Sequence, residues 1–534
     1  MKMNEAVKLQ PDFSDLKKPE TILKHIEELQ KPQHASHDEI LKQLLEAIEP
    51  VDYLKEAFPQ ADELSRKLEE ATKLSMSYAN GEERNSLEAQ QANDEMKRLN
   101  KELERLKITV KHFEIITIEQ LLKLAEKNRW GICKNQDFIY LYNGAYWKEI
   151  DKEAFQKFLG EAAEKMSVSK FTARHFQFRE RLFKQFISTA YLPTPRENSD
   201  KVLINLKNGT FEIGKNGKTK LRPANQKDFL TYQLGFDYQP EATAPMFETY
   251  LNRVLPDKDI QNILAEYLGF VFIKQSSKTL KLEKMLVLYG TGANGKSVFF
   301  EIVNALLGSE NVCSYSLQEL TDHSGYYRAM IANKLVNYAS EINGKMETDI
   351  FKKMVSGEPL PARLPYGKPM SLEQYARLIF NCNELPKDVE HTNAYFRRFL
   401  IIPFDVTIPE NEQDKSLSYR ISEEELSGVF NWALKGLMRL LDQKNFTKSD
   451  AVTKALEDYK TESNSVQMFL NEFDYSKSAI NWKTIKELFI EYRTFCIEDG
   501  MSSFKKSNFI KQLKNLGFEV KRVTGNQVAV YLEN

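Results

Sequence analysis

Apolar and polar positions divide this chain into stretches of different period. Up to about residue 110, Leu, Ile and Ala recur at helical spacing among Glu, Lys and Gln, interrupted by Pro19, Pro32, Pro50 and Pro59. Ser36-His-Asp-Glu39 has the form of a capping box opening one helix. Ala89, Ala92, Met96, Leu99, Leu103 and Leu106 alternate steps of three and four, the pattern of a short coiled-coil seam. So short a seam is marginal alone, and a helical hairpin within one chain fits it equally well. Residues 30–37 and 78–82 are expected hinges.

From residue 111 the period shortens. Phe138–Trp147 predicts a β-hairpin turning at Asn143-Gly144, and Val202–Leu221 predicts short strands with turns at Asn208-Gly209 and Asn216-Gly217. Between them, Lys170–Phe186 interleaves basic and aromatic residues. Such a segment can stack on single-stranded bases, or it can be an amphipathic helix whose phenylalanines face a core. Helices are expected over 246–254, 258–274 and 416–442. In the last part, 463–534, Trp482–Glu498 and Ser502–Leu516 predict two helices. Phe518–Val523 and Val528–Leu532 then pair around Thr524-Gly-Asn526, and this order describes a winged helix.

The apolar run Met285–Tyr289 predicts a buried strand, and Val298–Leu307 an amphipathic helix stopped by Gly308. The eight residues from strand to helix are Gly290, Thr291, Gly292, Ala293, Asn294, Gly295, Lys296 and Ser297, which fit the phosphate-loop pattern G-x-x-x-x-G-K-[ST]. A glycine turn entering a helix N-terminus gathers backbone N–H groups and the positive end of the helix dipole around one point. Lys296 is then expected on the β/γ-phosphates and the Ser297 hydroxyl on Mg²⁺, so a nucleoside triphosphate is the expected cofactor.

Composition narrows the setting. The 534 residues carry 75 Lys and Arg against 76 Asp and Glu, a net charge of −1, so any nucleic-acid surface is local. Cys133, Cys313, Cys382 and Cys496 lie far apart with no C-x-x-C pair, which argues against a zinc site or a disulfide framework and fits a reducing compartment. His34 and His37 are close but lack companion ligands. No apolar leader or membrane-length run is present, and a cytoplasmic protein, in a bacterial host, is expected. Charge is local at 501–534: Lys505, Lys506, Lys511, Lys514, Lys521 and Arg522 face only Glu519 and Glu533. That is the footprint of duplex binding, or else the solvated face of a protein-docking winged helix.

Three further stretches specify the chemistry behind the phosphate loop. Lys334–Glu341 predicts a strand ending in a carboxylate, with Glu341 placed to orient water or help hold Mg²⁺, and Ser340 where an Asp is common. Tyr375–Asn383 predicts a strand whose terminal amide, Asn383, can sense a γ-phosphate. Ala394–Phe404 sets Arg397 and Arg398 directly before a strand, and arginine is suited to a transferring phosphoryl group. Between the second and third strands, the polar segment Pro361–Pro369 turns at Tyr366-Gly367 and carries Arg363 and Lys368. It is either a projecting lever or an ordinary surface turn.

At these residues the chain resembles the superfamily 3 helicases, and within them the phage/plasmid primase–helicase group related to the poxvirus primase–helicase. The resemblance spans roughly 200–410. It includes Asn208-Gly-Thr-Phe211, Glu266-Tyr-Leu-Gly269, Gly290–Ser297, Ala339-Ser-Glu341, Lys353–Arg363, Asn383-Glu-Leu-Pro386 and Arg397-Arg398. It implies Lys296 and Ser297 as Walker A residues, Glu341 as the Walker B carboxylate, Asn383 as sensor 1 and an arginine finger in Arg397/Arg398. It further implies a hexameric ring on single-stranded DNA, with Arg363 and Lys368 on a channel hairpin. No zinc cluster or acidic triad precedes the matched part, so primase activity is expected of a separate partner. The expected fold is an α/β P-loop, AAA+-like core at 244–445 with a helical collar, a mostly helical region at 1–110, a small α+β domain at 111–243 and a winged helix at 446–534. The expected function is an ATP-dependent replicative DNA helicase of a phage, plasmid or mobile element. An origin-binding initiator whose ATP switches assembly is the alternative, and a protein-remodelling ATPase fits the basic terminal part poorly.

Overall fold

In the computed structural model, the described residues are 36–79, 86–128, 130–135, 138–190, 200–275, 280–340, 342, 346–365, 367–386, 389–501, 503–523, 525 and 527–534. Expectations for His34, Glu341, Tyr366, the tip residues Thr524 and Asn526, and most of both hinge segments therefore lie outside the described residues. The chain divides into two units, one made of described residues within 1–197 and 222–233, the other of 198–221 and 234–534.

The first unit is mostly helical. Ser36 caps the helix His37–Ala47 by accepting from the Glu39 N–H at 3.2 Å, the serine half of the expected capping box. Helices Ala61–Ala79 and Leu87–Arg105 pack on each other with Ala89, Ala92 and Leu99 buried, so the alternating seam serves an intrachain helix pair. Strands β1 (Gly131–Asn135), β2 (Phe138–Tyr142) and β3 (Trp147–Ile150) form an antiparallel meander. Its second hairpin turns at Asn143-Gly144, where Gly144 takes φ 94° and the Asn143 side chain accepts from the N–H groups of Ala145 and Tyr146. Helices Lys152–Lys165 and Phe176–Thr189 pack together around Phe155, Leu159, Leu182 and Phe186.

The second unit opens with the meander β4 (Val202–Leu206), β5 (Gly209–Ile213) and β6 (Thr219–Arg222, whose last residue counts with the first unit), turning where the sequence predicts. Its centre is a parallel sheet of β7 (Met285–Tyr289), β8 (Val312–Cys313), β9 (Val336–Ala339), β12 (Arg377–Cys382) and β13 (Phe399–Pro403), in the order β13-β7-β12-β9-β8. β10 (Leu360–Ala362) and β11 (Met370–Leu372) make a separate antiparallel hairpin. Buried on both faces, β7 is continuously apolar, as parallel strands are.

Helices Pro245–Val254, Lys258–Phe270, Leu417–Glu424 and Leu426–Gln443 belong to the same unit. Lys258–Phe270 lies against Leu426–Gln443 so closely that a Cβ on Gly436 would meet the Ala265 carbonyl carbon at 2.2 Å. Fully buried Glu266 accepts from Arg439 Nε at 2.6 Å and from the Thr447 N–H and hydroxyl, and the Tyr267 hydroxyl donates to Leu378 O at 2.7 Å. Glu266-Tyr-Leu-Gly269 is thus a packing joint: a paired buried charge, a strand anchor, and a glycine where a Cβ would meet Leu437 Cβ at 2.5 Å.

Helix Asp450–Glu462 packs along β13 and leads into the terminal part. There, helices Ser465–Glu472, Ile485–Glu498 and Lys506–Asn515 surround Phe469, Leu488, Tyr492 and Phe509, with a sheet ordered β14 (Ser476–Thr484), β16 (Gln527–Glu533), β15 (Val520–Val523). One correction concerns Trp482–Thr484, expected at the start of a helix. These residues end β14 on the sheet edge, and the helix starts at Ile485 behind a Thr484–Glu487 capping box.

Candidate active site

The turn leaving β7 is pinned from several sides. Gly290 takes φ 156°, and a Cβ there would meet Phe404 O at 2.4 Å. Gly295 takes φ 88° as the N-cap of helix Lys296–Leu307, and a Cβ would meet Val254 Cγ1 at 2.8 Å. These two glycines are required by conformation and by space. The Tyr250 hydroxyl donates to Gly295 O at 2.8 Å, the Ile408 N–H donates to Ala293 O at 2.8 Å, and Asn294 Nδ2 donates to Phe404 O at 3.0 Å. Ala293 sits at φ 58°, which a residue bearing a Cβ adopts at some cost, so the surrounding contacts hold the turn in shape.

Lys296 is buried. Its ammonium donates to Gly290 O at 2.6 Å, Thr291 O at 2.9 Å and Asn294 Oδ1 at 3.0 Å, three acceptors that compensate the desolvated charge. Burial holds its pKa below the usual lysine value. Ser297 is exposed at the first turn of the helix. A cavity of about 890 Å³ opens beside this turn, lined among others by Tyr250, Arg253, Glu301, Asn383, Glu412 and Arg420. Its wall is tied by ion pairs Arg253–Glu412 and Arg420–Asp414 and by the Ser418 hydroxyl donating to Glu301. Tyr250, Arg253, Glu412 and Arg420 escape a sequence reading, since they come from segments far on either side of the turn and share no local pattern.

Register brings Asn383 to the same place. β12 pairs with β7 up to Cys382↔Tyr289, and the Gly290 N–H donates to Cys382 O at 3.2 Å, so Asn383 emerges beside the turn. β9 lies on the other side of β12, and the Tyr338 hydroxyl reaches Asn381 Oδ1 at 2.9 Å. Ser340 follows β9 exposed, and Glu341 lies outside the described residues. The cradle fits a triphosphate: close-approach glycines, a helix N-terminus and a buried ammonium converge on one point beside a cavity. Among the described residues no cluster of His, Cys, Asp or Glu is arranged to hold a metal by itself. Ser297 is the described side chain that would contribute to one.

Arg397 and Arg398 are elsewhere. They precede Phe399, which pairs with Met285, so they occupy the end of β13 opposite the turn, roughly 17 Å away at about 3.3 Å per residue. Arg397 is open to solvent and Arg398 is buried, where Arg398 Nη2 donates to Ser356 Oγ at 2.8 Å. Arg363 leaves β10 with its guanidinium 5.0 Å from the Tyr326 ring, and Lys368 is exposed in the loop between β10 and β11. Buried Arg328 braces that hairpin, Nε donating to Pro361 O at 2.9 Å and Nη1 to Leu320 O at 3.0 Å. Lys505, Lys506, Lys511 and Lys514 are all exposed at and along helix Lys506–Asn515 of the terminal part.

Residues 119–256 match a family described as D5 N terminal like, and residues 288–398 match a family of unknown function, DUF5906. The chain is 25% identical over 246 residues to "Putative helicase L207/L206" of Acanthamoeba polyphaga mimivirus, covering 42% of this chain and 24% of that protein. It is 21% identical over 366 residues to "Putative helicase 121R" of Invertebrate iridescent virus 3, covering 60% of this chain and 38% of that protein. The chain thus spans well under half the length of these viral relatives. Two solved structures of the NrS-1 C-terminal region align with TM-score 0.44 at 13% and 14% identity, over 77% of this chain and 98% of theirs. Among the described residues no helix is long and apolar enough to cross a membrane.

Proposed function

We propose that this chain is an ATP-hydrolysing DNA helicase of a phage, plasmid or virus, of the superfamily 3 type, working as a head-to-tail ring. One observation carries the reading. The parallel sheet sets Gly290–Ser297 and Asn383 at one end of its strands and leaves Arg397 open at the other. A triphosphate would draw Lys296 off the loop carbonyls, its charge matching the β/γ-phosphates. Mg²⁺ would sit on the Ser297 hydroxyl and phosphate oxygens and would neutralise developing charge. Asn383 would contact the γ-phosphate, and Glu341 is the residue proposed to orient the attacking water.

Arg397 cannot reach its own turn across the length of the strands. It can complete the site of a neighbouring copy, and repetition of that contact closes a ring, proposed as a hexamer. The hairpin β10–β11 with Arg363 and Lys368 would grip single-stranded DNA in the channel. The terminal part has the element order of a winged helix, and its exposed lysines would bind duplex. The viral relatives named as helicases support the same activity. The test is unwinding of a forked duplex, with ATP, by the chain and by Lys296→Ala. Unwinding abolished by Lys296→Ala supports the reading. ATP-dependent binding to an origin fragment without unwinding would favour a replication initiator instead.

A further inference from the structure

Within Lys170–Phe186 the phenylalanines divide. Phe178, Phe183 and Phe186 are buried with Leu182, as an amphipathic helix requires. Phe171 is 89% exposed and Phe176 is 69% exposed. Burying a phenylalanine side chain is favourable, so two left open five residues apart need another reason. Local structure holds them out. Ser169 caps helix Lys170–Arg174, accepting from the Thr172 N–H at 3.3 Å, and the chain then breaks at His175 (φ −68°, ψ 131°) before Phe176–Thr189 begins. The break starts a second helix on Phe176, whose ring lies 5.0 Å from the His175 ring between centroids.

The charge around the pair is positive. Lys170, Arg174, Arg179 and Arg181 stand against Glu180 within residues 170–181. From neighbouring elements Glu164 holds Arg174 through two bonds of 2.8 and 3.0 Å, and Glu114 pairs with Arg181 at 3.0 Å, while Glu180 pairs with Lys184. Among the described residues neither Lys170 nor Arg179 has a carboxylate within ion-pair distance, and Arg179 Nε reaches the Ala173 carbonyl at 3.4 Å. Two exposed aromatic rings on a locally basic stretch, with Lys170 exposed and Arg179 half-buried, match a ligand that offers ring faces along a chain of negative charge.

We propose that Phe171 and Phe176 form a stacking platform for a single-stranded nucleic acid, with Lys170 and Arg179 meeting its phosphates. The platform belongs to the first unit, whereas the nucleotide turn, the hairpin β10–β11 and the terminal lysines belong to the second, and it needs no ATP.

The test compares the full chain with F171A/F176A, without nucleotide, on a labelled twenty-residue oligo(dT) and on an abasic strand of equal length and charge. One base stack is worth about 1 kcal/mol or more, so oligo(dT) binding should weaken at least about fivefold. Abasic-strand binding and DNA-independent ATP hydrolysis should be unchanged. F171W should keep oligo(dT) binding, with tryptophan emission quenched by oligo(dT). Unchanged oligo(dT) affinity in F171A/F176A overturns the proposal, as does an equal loss on both strands. A changed particle size with intact DNA binding would also overturn it, marking an interface between copies. Because binding is read without ATP, a failure to unwind DNA leaves this result independent.

Discussion

Arg397 and Arg398 are consecutive and share one carboxylate oxygen, Glu283 Oε2, at 2.7 and 3.1 Å, yet their side chains are 54% and 8% exposed. Arg398 is also committed to Ser356 Oγ and the Ala394 carbonyl. The exposed residue is the one that can leave Glu283 and reach another molecule.

Arg397→Ala should therefore spare folding and ATP binding and lower hydrolysis by roughly 10³-fold or more, the scale of an arginine acting in trans. Mixing it with Lys296→Ala subunits should restore some turnover, because one interface then has both parts. Arg398→Ala should act chiefly on stability, by about 1–3 kcal/mol, since it leaves buried polar partners unpaired. Thermal unfolding and mixed-subunit hydrolysis separate the two roles, and the reverse pattern would assign the finger to Arg398.

Lys296→Ala should abolish ATP hydrolysis, and Glu341→Gln should bind ATP but turn over poorly. Tyr250→Phe removes only the hydroxyl that holds Gly295 O. One such bond is worth about 0.5–1.5 kcal/mol, so KM for ATP should rise a few fold with kcat little changed. A large fall in kcat with normal KM would place Tyr250 in the chemistry instead.

Much of this site is visible in the linear order of residues. An apolar five-residue run, a glycine turn and a helix stopped by Gly308 are local features, and so are the hairpins at Asn143-Gly144 and Asn216-Gly217. The cavity wall is not local. Tyr250, Arg253, Glu412 and Arg420 meet only because β13 returns the chain beside β7. β14 was hidden for another reason: as a largely exposed edge strand it buries few side chains, so Ser476–Thr484 has no alternating apolar pattern to read. The contrast between Arg397 and Arg398 depends on Ser356 and Glu283, which are distant in sequence.

Lys368→Ala should keep basal ATP hydrolysis, lose its stimulation by single-stranded DNA and fail to unwind a fork. The side chain is exposed and carries no described bond, so stability should stay within about 0.5 kcal/mol. Wild-type unwinding by correctly assembled Lys368→Ala would remove the residue from the mechanism.

Replacing Lys505, Lys506, Lys511 and Lys514 with glutamine should weaken duplex binding and leave ATP hydrolysis intact. Every lysine–phosphate pairing removed in this way lowers the log–log salt slope by about 0.9. An unchanged slope would make this face a protein-docking surface.

His391 gives a pH signature. Burial lowers its pKa below 6.5, while its hydrogen bond to Ser463 O opposes the shift. As pH falls through about 6.5, the unfolded chain takes up the proton first, so stability falls until the lower folded pKa is reached. Thermal unfolding from pH 7.5 to 5 should drop less steeply in His391→Gln than in the parent chain, and identical profiles would count against this assignment.

The strand order β13-β7-β12 has a consequence for synthesis. β7 emerges from the ribosome with neither neighbour, since β12 begins only at Arg377 and β13 at Phe399. At about 5–20 residues per second, Met285-Leu-Val-Leu-Tyr289 waits roughly 5–20 s for the strands that will cover it. During that interval a strand whose Met285–Leu288 are fully buried in the finished sheet is a bare apolar segment on a nascent chain. A chaperone that binds exposed apolar segments would find one there.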